Sequence, residues 1–469
     1  MAKTLTEHFG EFVAQTKLAE LPPEVIAKAK TCLLHNLGVA LAGRRAEELV
    51  HSLVARAYAI PRESTLFWDG SRASAEGATL ANAALMHART QDDTHFPSST
   101  HTGSTVIPAA LAMAEAHGRT GGEFLTAMVL GYEVAARVGR EYDTITTPRG
   151  FRATSIFGVF GAAAAAARLM GLPAEGVASA LGFAANLAGG LGQTWIEGSS
   201  EWRFQVGIAG RNGIFAARIA ARGAVAARES LEGVAGFYQA FGGTLDPAET
   251  TTAGLGKDWE ILEVTLKPFP VCAIHQSPVG MMIQLATTHE LRPDHVAEII
   301  LHLSPYEATY PGINGLGPFS DQGGTLMSAQ YCMALALIDR KATLDGLFRF
   351  DDPTIRELSK RVRVVSDESL APLCSRLSVR TVDGRLLTAE TVATPTTHRF
   401  TFDEDAALIR ALAPEMVEPA DRTERLVEAV RGLERQPGLT QLLSCFKRPA
   451  RPRGRRRNHR QHSRKGGNR

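Results

Sequence analysis

The sequence predicts a mainly α-helical bundle domain and a smaller α+β domain, which we call the lid domain. Over the first 266 residues, apolar residues recur at helical spacing, and alanine and glycine are abundant. The stretch Lys267-Pro268-Phe269-Pro270 interrupts this pattern, because proline cannot continue a helix. Strand-like alternation follows, and helical patterning returns after Phe402. We therefore expect a discontinuous helical domain of residues 1–266 and 403–446, a lid domain of residues 267–402, and a disordered basic tail of residues 447–469.

The helical domain is predicted from a succession of amphipathic or wholly apolar segments. Pro22-Pro23 begins the first long helix, and Gly43 ends it. Six consecutive alanines, Ala162 to Ala167, indicate a helix against which neighbouring helices can pack closely. Further helices are predicted over residues 77–88, 106–116, 123–139, 157–170, 177–188 and 208–223.

The lid domain combines strands and helices. Strands are predicted over residues 298–304, 361–366, 376–382 and 385–392, with helices over 278–290 and 325–338. The dipeptide Asp383-Gly384 separates the last two strands, and this pair favours a type I′ hairpin turn.

The charge distribution separates the body of the chain from its last residues. The formal net charge is +2, from 51 basic and 49 acidic residues. Residues 447–469 carry 11 of the basic residues and none of the acidic ones, so residues 1–446 carry a net charge of −9. A nucleic-acid-binding body is excluded on this basis, because such domains carry an excess of basic residues. For the tail, a solvated segment is preferred over contact with a nucleic acid or an anionic surface.

Composition and cysteine usage point to a cytoplasmic protein. The chain is 44% hydrophobic and 21% charged, which is typical of globular proteins. Its five cysteines are scattered without a CxxC pair, which argues against a disulfide framework or a structural zinc site. The polar, acid-containing N-terminus is unlike a signal peptide. No uninterrupted apolar run reaches the roughly 18 residues of a membrane span, so we expect no membrane partner.

The densest polar cluster lies between two predicted helices, from His87 to Ser104. It contains Asp92, Asp93, His95 and His101, and loops on a rigid scaffold commonly carry catalytic groups. The spacing matches no common metal motif, so we predict acid–base or carboxylate-binding chemistry and no metal. The alternative is that these histidines lie on the surface and that the aspartates cap a helix.

Two further segments carry candidate cations. Arg203 lies in a polar stretch that leads into a helix, where it can hold a carboxylate or pair with Glu201. Lys267 begins a proline-rich segment that continues to His275. This segment is predicted to be either an anion-binding site or a hinge. Cys272 is expected to be a buried, inert thiol. No glycine-rich stretch has a nucleotide-binding pattern, and we predict no cofactor.

The order of these motifs resembles the MmgE/PrpD family. The resemblance begins with Asp92-Asp93-Thr94-His95 and His101-Thr102-Gly103-Ser104, and it covers roughly residues 5–440. Further matches are Gly131-Tyr132-Glu133-Val134, Leu169-Met170-Gly171-Leu172, Arg211-Asn212-Gly213, Leu266-Lys267-Pro268-Phe269-Pro270 and Ser328-Ala329-Gln330-Tyr331. The resemblance implies a helical main domain, an α+β lid and a homodimer without a cofactor.

The resemblance also implies site residues. His101, Lys267, Tyr331 and Thr94 match active-site positions of the family and are predicted to be catalytic. Together with the polar clusters, it leads us to predict that the substrate is bound by Arg203, Arg152, Asp93, His95 and His275. Three positions depart from the family pattern: Thr90 stands where the family usually has Asp, Arg152 where the decarboxylase has His, and Trp202 where the family has Lys.

The family creates or quenches a carbanion beside a carboxylate. We therefore expect a cofactor-independent lyase that acts on a small di- or tricarboxylic acid, in the first place a 2-methylcitrate dehydratase-like hydro-lyase. The alternatives are a cis-aconitate decarboxylase-like carboxy-lyase, an epimerase of an imino-dicarboxylate, and a non-catalytic carboxylate-binding protein.

Overall fold

The computed structural model describes residues 2–43, 48–244, 251–392, 394, 397–416 and 420–447. Apart from Lys447, the segment predicted to be a disordered tail lies outside the described residues. The carbonyl oxygen of Lys447 accepts a hydrogen bond of 2.8 Å from Arg422 Nη2, so this residue is attached to the fold. The predicted fold class is confirmed, because a large helical body is joined to a smaller unit of helices and one four-stranded sheet.

The helical body is formed by the first half of the chain. Its α-helices are α1 (Leu5–Gln15), α2 (Pro23–Gly43), α3 (Leu49–Ala57), α4 (Ala75–His87), α5 (Thr102–Ala116), α6 (Gly121–Gly139), α7 (Asp143–Thr146), α8 (Ala153–Met170), α9 (Ala174–Leu187), α10 (Gln193–Glu197) and α11 (Trp202–Ala220). Two short antiparallel strand pairs accompany them, β1 (Ser64–Thr65) with β2 (Arg72–Ala73) and β3 (Thr94–His95) with β4 (Val264–Thr265).

Close packing of small residues explains the centre of the bundle. The alanines of α8 from Ala162 to Ala167 are fully buried, and α8 packs against α5, α6, α9 and α11. Gly131 of α6 faces Gly161 of α8 so closely that a Cβ atom on Gly161 would lie 2.5 Å from the Gly131 carbonyl oxygen. A larger residue at either position would separate the two helices.

Several helices begin earlier than the apolar pattern predicts. Helix α11 begins at Trp202 rather than residue 208, and α8 begins at Ala153 rather than residue 157. The first turns of both helices carry or follow polar residues, which make the sequence resemble a loop. These residues are buried by contacts with distant parts of the chain, as is seen at Arg152 and Arg203.

The chain returns to the helical body after the lid. The returning helices are α18 (Phe402–Ala411), α19 (Ala420–Arg431) and α20 (Thr440–Ser444). One hydrophobic core contains side chains from Phe9 to Leu266 and again from Ala406 to Phe446. His35 of α2 lies 2.7 Å from Asp405 of α18, and both side chains are fully buried. The returning segment therefore shares a core with the first half of the chain.

The lid has a hydrophobic core distinct from that of the body, and Trp195 and Trp202 of the body pack into it. Its helices are α12 (Gln276–Thr288), α13 (Pro305–Ala308), α14 (Gln322–Met327), α15 (Ala329–Asp339), α16 (Leu344–Leu347) and α17 (Pro353–Ser359). Its strands are β5 (Val296–Leu303), β6 (Val362–Ser366), β7 (Ser375–Thr381) and β8 (Leu386–Thr391). They form a sheet in the order β6-β5-β7-β8, in which only the β5–β6 pair is parallel.

The hairpin between β7 and β8 is present, but its turn differs from the predicted type I′. A type I′ turn needs positive φ at two central residues, whereas Gly384 alone has one here, at +89°. Gly384 N–H donates to the Thr381 carbonyl at 3.0 Å, and Thr381 N–H donates to the Arg385 carbonyl at 2.9 Å. This pattern is a three-residue loop with glycine in the left-handed bulge position.

Among the described residues, two helices, α2 and α8, are long and apolar enough to cross a membrane by length and composition alone. Within the fold, 78% and 89% of their apolar windows are buried. Such burial is typical of the core helices of a helical bundle.

Candidate active site

A cleft lies between the helical body and the lid. On the body side it is lined by the loop between α4 and α5, through Thr90, Thr94, Phe96, Ser99 and His101. On the lid side, one segment comes directly after Pro270, a second comes after β5, and the end of α14 completes the lining. The lining residues of the lid are Cys272, Ala273, Ile274, Tyr306, Glu307, Tyr310 and Met327. The cleft is therefore shared by both units, which is common for ligand sites.

The α4–α5 loop is held by helix ends and by an aspartate. Helix α4 ends at His87, and His101 is the residue before α5. The Asp93 carboxylate accepts hydrogen bonds from Gly103 N–H at 2.8 Å and from the Tyr132 hydroxyl at 2.6 Å. Since these contacts use both oxygens, Asp93 anchors the loop to α5 and α6. Burial raises the pKa of Asp93 despite these hydrogen bonds.

Two histidines lie beside the Asp92 carboxylate. His87 Nδ1 lies 2.8 Å and His101 Nδ1 lies 3.4 Å from Asp92 Oδ2. His87 and Asp92 are fully buried, whereas 14% of the His101 side chain is exposed, toward the cleft. Burial disfavours ionisation of Asp92, but the two histidines bring its pKa well below the usual value.

Both histidines are neutral near pH 7. Burial lowers the pKa of His87 to about 3, although Asp92 opposes the shift. Burial and then the charge of Lys267 lower the pKa of His101 to about 4. A neutral imidazole can accept a proton at one ring nitrogen without first losing one to solvent, and it can donate from the other nitrogen when it accepts one.

Lys267 is brought to the same loop from the start of the proline-rich segment. Its Nζ donates to the Thr90 carbonyl oxygen in a short contact and lies 3.3 Å from His101 Nδ1. The residue is 1% exposed, and burial lowers its pKa, while Asp92 opposes that shift. The lysine thus provides a buried positive charge beside the one histidine that reaches the cleft.

Arg152 does not line the cleft and contacts His87 instead. Its Nη2 donates to His87 Nε2 at 2.6 Å, and its Nη1 donates to the Trp202 carbonyl at 2.6 Å. The guanidinium also lies over the Trp195 ring at 4.9 Å from its centroid. Burial lowers the pKa of Arg152 to about 10. Arg152 therefore makes His87 an acceptor at Nε2 and a donor to Asp92 at Nδ1.

His87, Asp92 and His101 also form a possible metal-ligand set, with ligand atoms within 4.8 Å of one another. However, His87 Nε2 accepts from Arg152, and His101 Nδ1 lies beside the Lys267 ammonium. A divalent ion here would stand close to two buried cations, so the residues fit an anion-binding site better than a metal centre.

Two predicted substrate-binding residues contact other groups. His95 lies 3.1 Å from Glu260 Oε2 and 2.7 Å from Ser98 Oγ, which ties β3 to the segment before β4. Arg203 donates to Asp321 of the lid at 3.0 Å, and the Trp202 indole donates to the same carboxylate at 3.2 Å. Arg203 therefore joins the body to the lid, and its predicted contact with substrate would require that pair to open.

Two further predicted site residues belong to the interior of the lid. The Tyr331 hydroxyl donates to the carbonyl oxygens of Gly346 at 2.8 Å and Arg349 at 3.2 Å. His275 Nε2 donates to the Met327 carbonyl at 2.8 Å, and burial lowers the pKa of this histidine to about 4. Neither residue lines the cleft, so the structure does not bring them together with His101 and Lys267.

The chain matches both domains of one protein family. The MmgE/PrpD N-terminal domain matches residues 7–250, and the MmgE/PrpD C-terminal domain matches residues 269–431. The chain belongs to the MmgE/PrpD family. Residues 251–268 separate the two matched regions and contain Lys267, where the helical body passes into the lid.

Curated MmgE/PrpD relatives match along most of their length. The cis-aconitate decarboxylase-like protein oryM of Aspergillus oryzae is 28% identical, over 94% of this chain and 97% of its own. The cis-aconitate decarboxylase of Aspergillus terreus is 26% identical, with 92% and 93% covered. The human cis-aconitate decarboxylase is 25% identical, with 96% of both chains covered. This MmgE/PrpD chain is accordingly a lyase.

The structure adds residues that the sequence did not single out as site groups. Asp92, His87, Tyr306 and Tyr310 join the MmgE/PrpD motif residues at or beside the cleft. The sequence could have indicated Asp92 and His87 as site residues, because they lie in the densest polar cluster. Tyr306 and Tyr310 gave no signal, because β5 brings the segment that contains them to the cleft from more than 200 residues away along the chain.

Proposed function

We propose that the protein is a carboxy-lyase that removes CO₂ from an unsaturated tricarboxylic acid of the cis-aconitate class. The observation that carries the proposal is the row Lys267–His101–Asp92, in which a buried ammonium adjoins the neutral histidine that lines the cleft. The names of the full-length relatives favour decarboxylation over the dehydration that the sequence alone placed first. The expected homodimer and cytoplasmic location remain part of this proposal.

The reaction needs stabilisation of negative charge and delivery of one proton. The carbon–carboxylate bond breaks, CO₂ leaves, and the bond's electron pair moves through the double bond to a carbon beside a remaining carboxylate. One proton then adds to that carbon, which yields a five-carbon unsaturated dicarboxylate. Lys267 is suited to stabilise the enolate-like charge, since a fixed cation in a buried site is worth far more than in water.

The proton is assigned to His101. When Lys267 donates to His101 Nδ1, the remaining hydrogen of the neutral ring is on Nε2. Transfer of that hydrogen to the carbanion is balanced by transfer of a lysine proton to Nδ1, and solvent then reprotonates Lys267. The lowered pKa of Lys267 eases the second transfer.

A panel of acids tests the proposal. Purified protein is incubated separately with cis-aconitate, 2-methylcitrate, citrate and iminodisuccinate in D₂O, and products are identified by NMR. We expect CO₂ release from cis-aconitate and one deuterium in the five-carbon product. Water loss from 2-methylcitrate or citrate instead would establish the dehydratase, and deuterium exchange into iminodisuccinate would establish the epimerase; either would overturn the proposal.

Substitution of the two reacting residues tests the mechanism. We expect Lys267→Ala and His101→Gln each to lower kcat/KM by about 10²–10³-fold, as is usual when a preorganised charge or proton donor is removed. Lys341→Ala, at an exposed lysine of the lid, serves as the control and should retain full activity. Wild-type activity in both cleft variants would contradict the assigned roles.

A further inference from the structure

Two hydroxyl groups in the cleft have no hydrogen-bond partner within the part of the chain that the structure describes. Thr90 and Thr94 both line it, and they are 2% and 3% exposed. Among the described residues, neither Thr90 Oγ1 nor Thr94 Oγ1 has a hydrogen-bond partner. Buried hydroxyls are nearly always hydrogen-bonded, and two unpaired ones at one cavity indicate a ligand that pairs with them.

The backbone of Thr90 is also unusual. Its φ is +52°, in the left-handed region that β-branched residues rarely adopt. This conformation presents the Thr90 carbonyl oxygen to Lys267 Nζ while the side chain remains at the cleft. Strained residues of this kind persist where the surrounding structure holds them, and they cluster at ligand sites.

The charges around the two hydroxyls favour an anion. Lys267 contacts the Thr90 carbonyl, and the neutral His101 lines the same cavity. Among the described lining residues, Glu307 is the one carboxylate, and its oxygens are occupied by the Ser304 hydroxyl at 2.6 Å and by Leu373 N–H at 2.9 Å. No acceptor among the described lining residues takes the threonine hydrogens, so a ligand oxygen is the expected acceptor.

We propose that Thr90 is a specificity-determining residue, and that its hydroxyl and that of Thr94 together donate to one carboxylate of the substrate. An ionised side chain at position 90 would repel such a carboxylate, whereas the threonine hydroxyl is a neutral donor. The inference rests on the proposed substrate class, because it assigns the residues that hold one of its carboxylates.

Binding of a non-reacting tricarboxylate tests the inference without relying on turnover. Propane-1,2,3-tricarboxylate lacks the double bond, and its affinity is measured by calorimetry for Thr90→Val and Thr90→Ser. We expect Val to weaken binding about tenfold, as loss of one hydrogen bond to a charged group does, and Ser to bind within about twofold of wild type. Thr126→Val is the matched control, because the buried Thr126 hydroxyl bonds only to the Gly122 carbonyl in α6.

A second pair of variants separates the effect of side-chain charge at position 90 from the effect of side-chain shape. Asp and Asn have nearly the same size, and both tolerate left-handed backbone. Thr90→Asp should weaken tricarboxylate binding by more than about tenfold relative to Thr90→Asn, since only Asp adds a negative charge beside the ligand. In turnover assays, Thr90→Val should raise KM more than it lowers kcat.

The outcomes separate this inference from the proposed function. Unchanged binding in Thr90→Val, or equal weakening in Val and Ser, would overturn the role of the hydroxyl, whatever reaction the protein catalyses. The expected binding pattern without decarboxylation of any acid would retain the inference and overturn the proposed reaction. Loss of tricarboxylate binding in the Thr126→Val control would show a general effect of substitution and would also count against Thr90.

Discussion

Asp92 organises the chemistry of single residues in the cleft. Its carboxylate accepts from His87 Nδ1 and lies 3.4 Å from His101 Nδ1, while Arg152 contacts the His87 ring and Lys267 the His101 ring. The result is a row in which positive and negative groups alternate, and in which only His101 reaches the cleft. Sequence proximity made the Asp–His cluster predictable. It did not predict which members reach the cleft and which anchor the loop. Asp93 and His95 anchor the loop, although they are adjacent to cleft residues in sequence.

The lowered histidine pKa values predict a pH-dependent stability. An unfolded histidine titrates near pH 6.5, whereas His101 in the fold titrates near 4. Between these values the unfolded chain binds more protons, so the free energy of unfolding should fall as the pH is lowered from 6.5 toward 4. For His101 alone the loss is at most about 3 kcal/mol, at about 1.4 kcal/mol per pKa unit.

Urea unfolding at pH 7, 5.5 and 4.5 measures this dependence. The slope between pH 6.5 and 4 should be smaller for His101→Gln than for the wild type, because glutamine does not titrate. His289→Gln, at an exposed histidine of the lid, should leave the slope unchanged. A variant slope equal to that of the wild type would mean that His101 is not held neutral by the fold.

At the scale of elements, most helices and strands follow their sequence patterns, while their ends depend on distant contacts. Strand β5 was predicted as residues 298–304 and spans Val296–Leu303. Helix α11 begins six residues before its predicted start, because Trp202 and Arg203 are buried against Asp321 of the lid. Helix propensity, which depends on neighbouring residues, does not indicate such a contact, since Asp321 is more than 100 residues away in sequence.

The contact between α11 and the segment before α14 should control lid closure. Asp321→Ala removes the carboxylate that accepts from Arg203 and Trp202, so that the nearly buried guanidinium retains the Gln322 Oε1 acceptor but no carboxylate. It also removes the side-chain cap of α14, which accepts from Gly323 N–H. We expect a loss of about 1–3 kcal/mol in stability, together with faster proteolysis and lower activity. Limited proteolysis, thermal unfolding and the activity assay check these effects.

An exposed ion pair provides the control for this prediction. Asp294 lies 3.5 Å from Arg292, and its side chain is 69% exposed. Asp294→Ala should change stability by less than about 1 kcal/mol, as is usual for surface pairs. If Asp321→Ala behaves like Asp294→Ala, the carboxylate does not hold the lid to the body.

For the whole molecule, the discontinuous body is the main organising feature. Helix α18 packs on α2, and the buried pair of His35 and Asp405 joins them. His35 Nε2 also lies 2.7 Å from the Gln91 carbonyl, next to Asp92. The returning segment thus supports the cleft loop as well as the core. The change of hydrophobic pattern on either side of the lid was enough to predict that the chain returns to the helical body. It did not predict that the returning segment supports the cleft loop.

The residues beyond Lys447 should be dispensable for activity. All described residues that line the cleft lie between Thr90 and Met327, and the last described contact of the chain is made by Lys447. Deletion of residues 448–469 should leave kcat/KM within about twofold of wild type and lower the isoelectric point, because ten basic residues are removed. An inactive truncated protein with an intact fold would show that the tail takes part in the function.

The sequence by itself determined the fold class, the family and the polar loop from His87 to Ser104. These follow from periodicity, composition and an ordered series of motifs, all of which are local or nearly local properties of the chain. Only the tertiary structure decided that Lys267 meets His101, that Arg203 pairs with the lid, and that Thr90 presents an unpaired hydroxyl. The physical reason is that burial, charge pairing and hydrogen-bond satisfaction depend on contacts between residues far apart in sequence, which folding alone brings together.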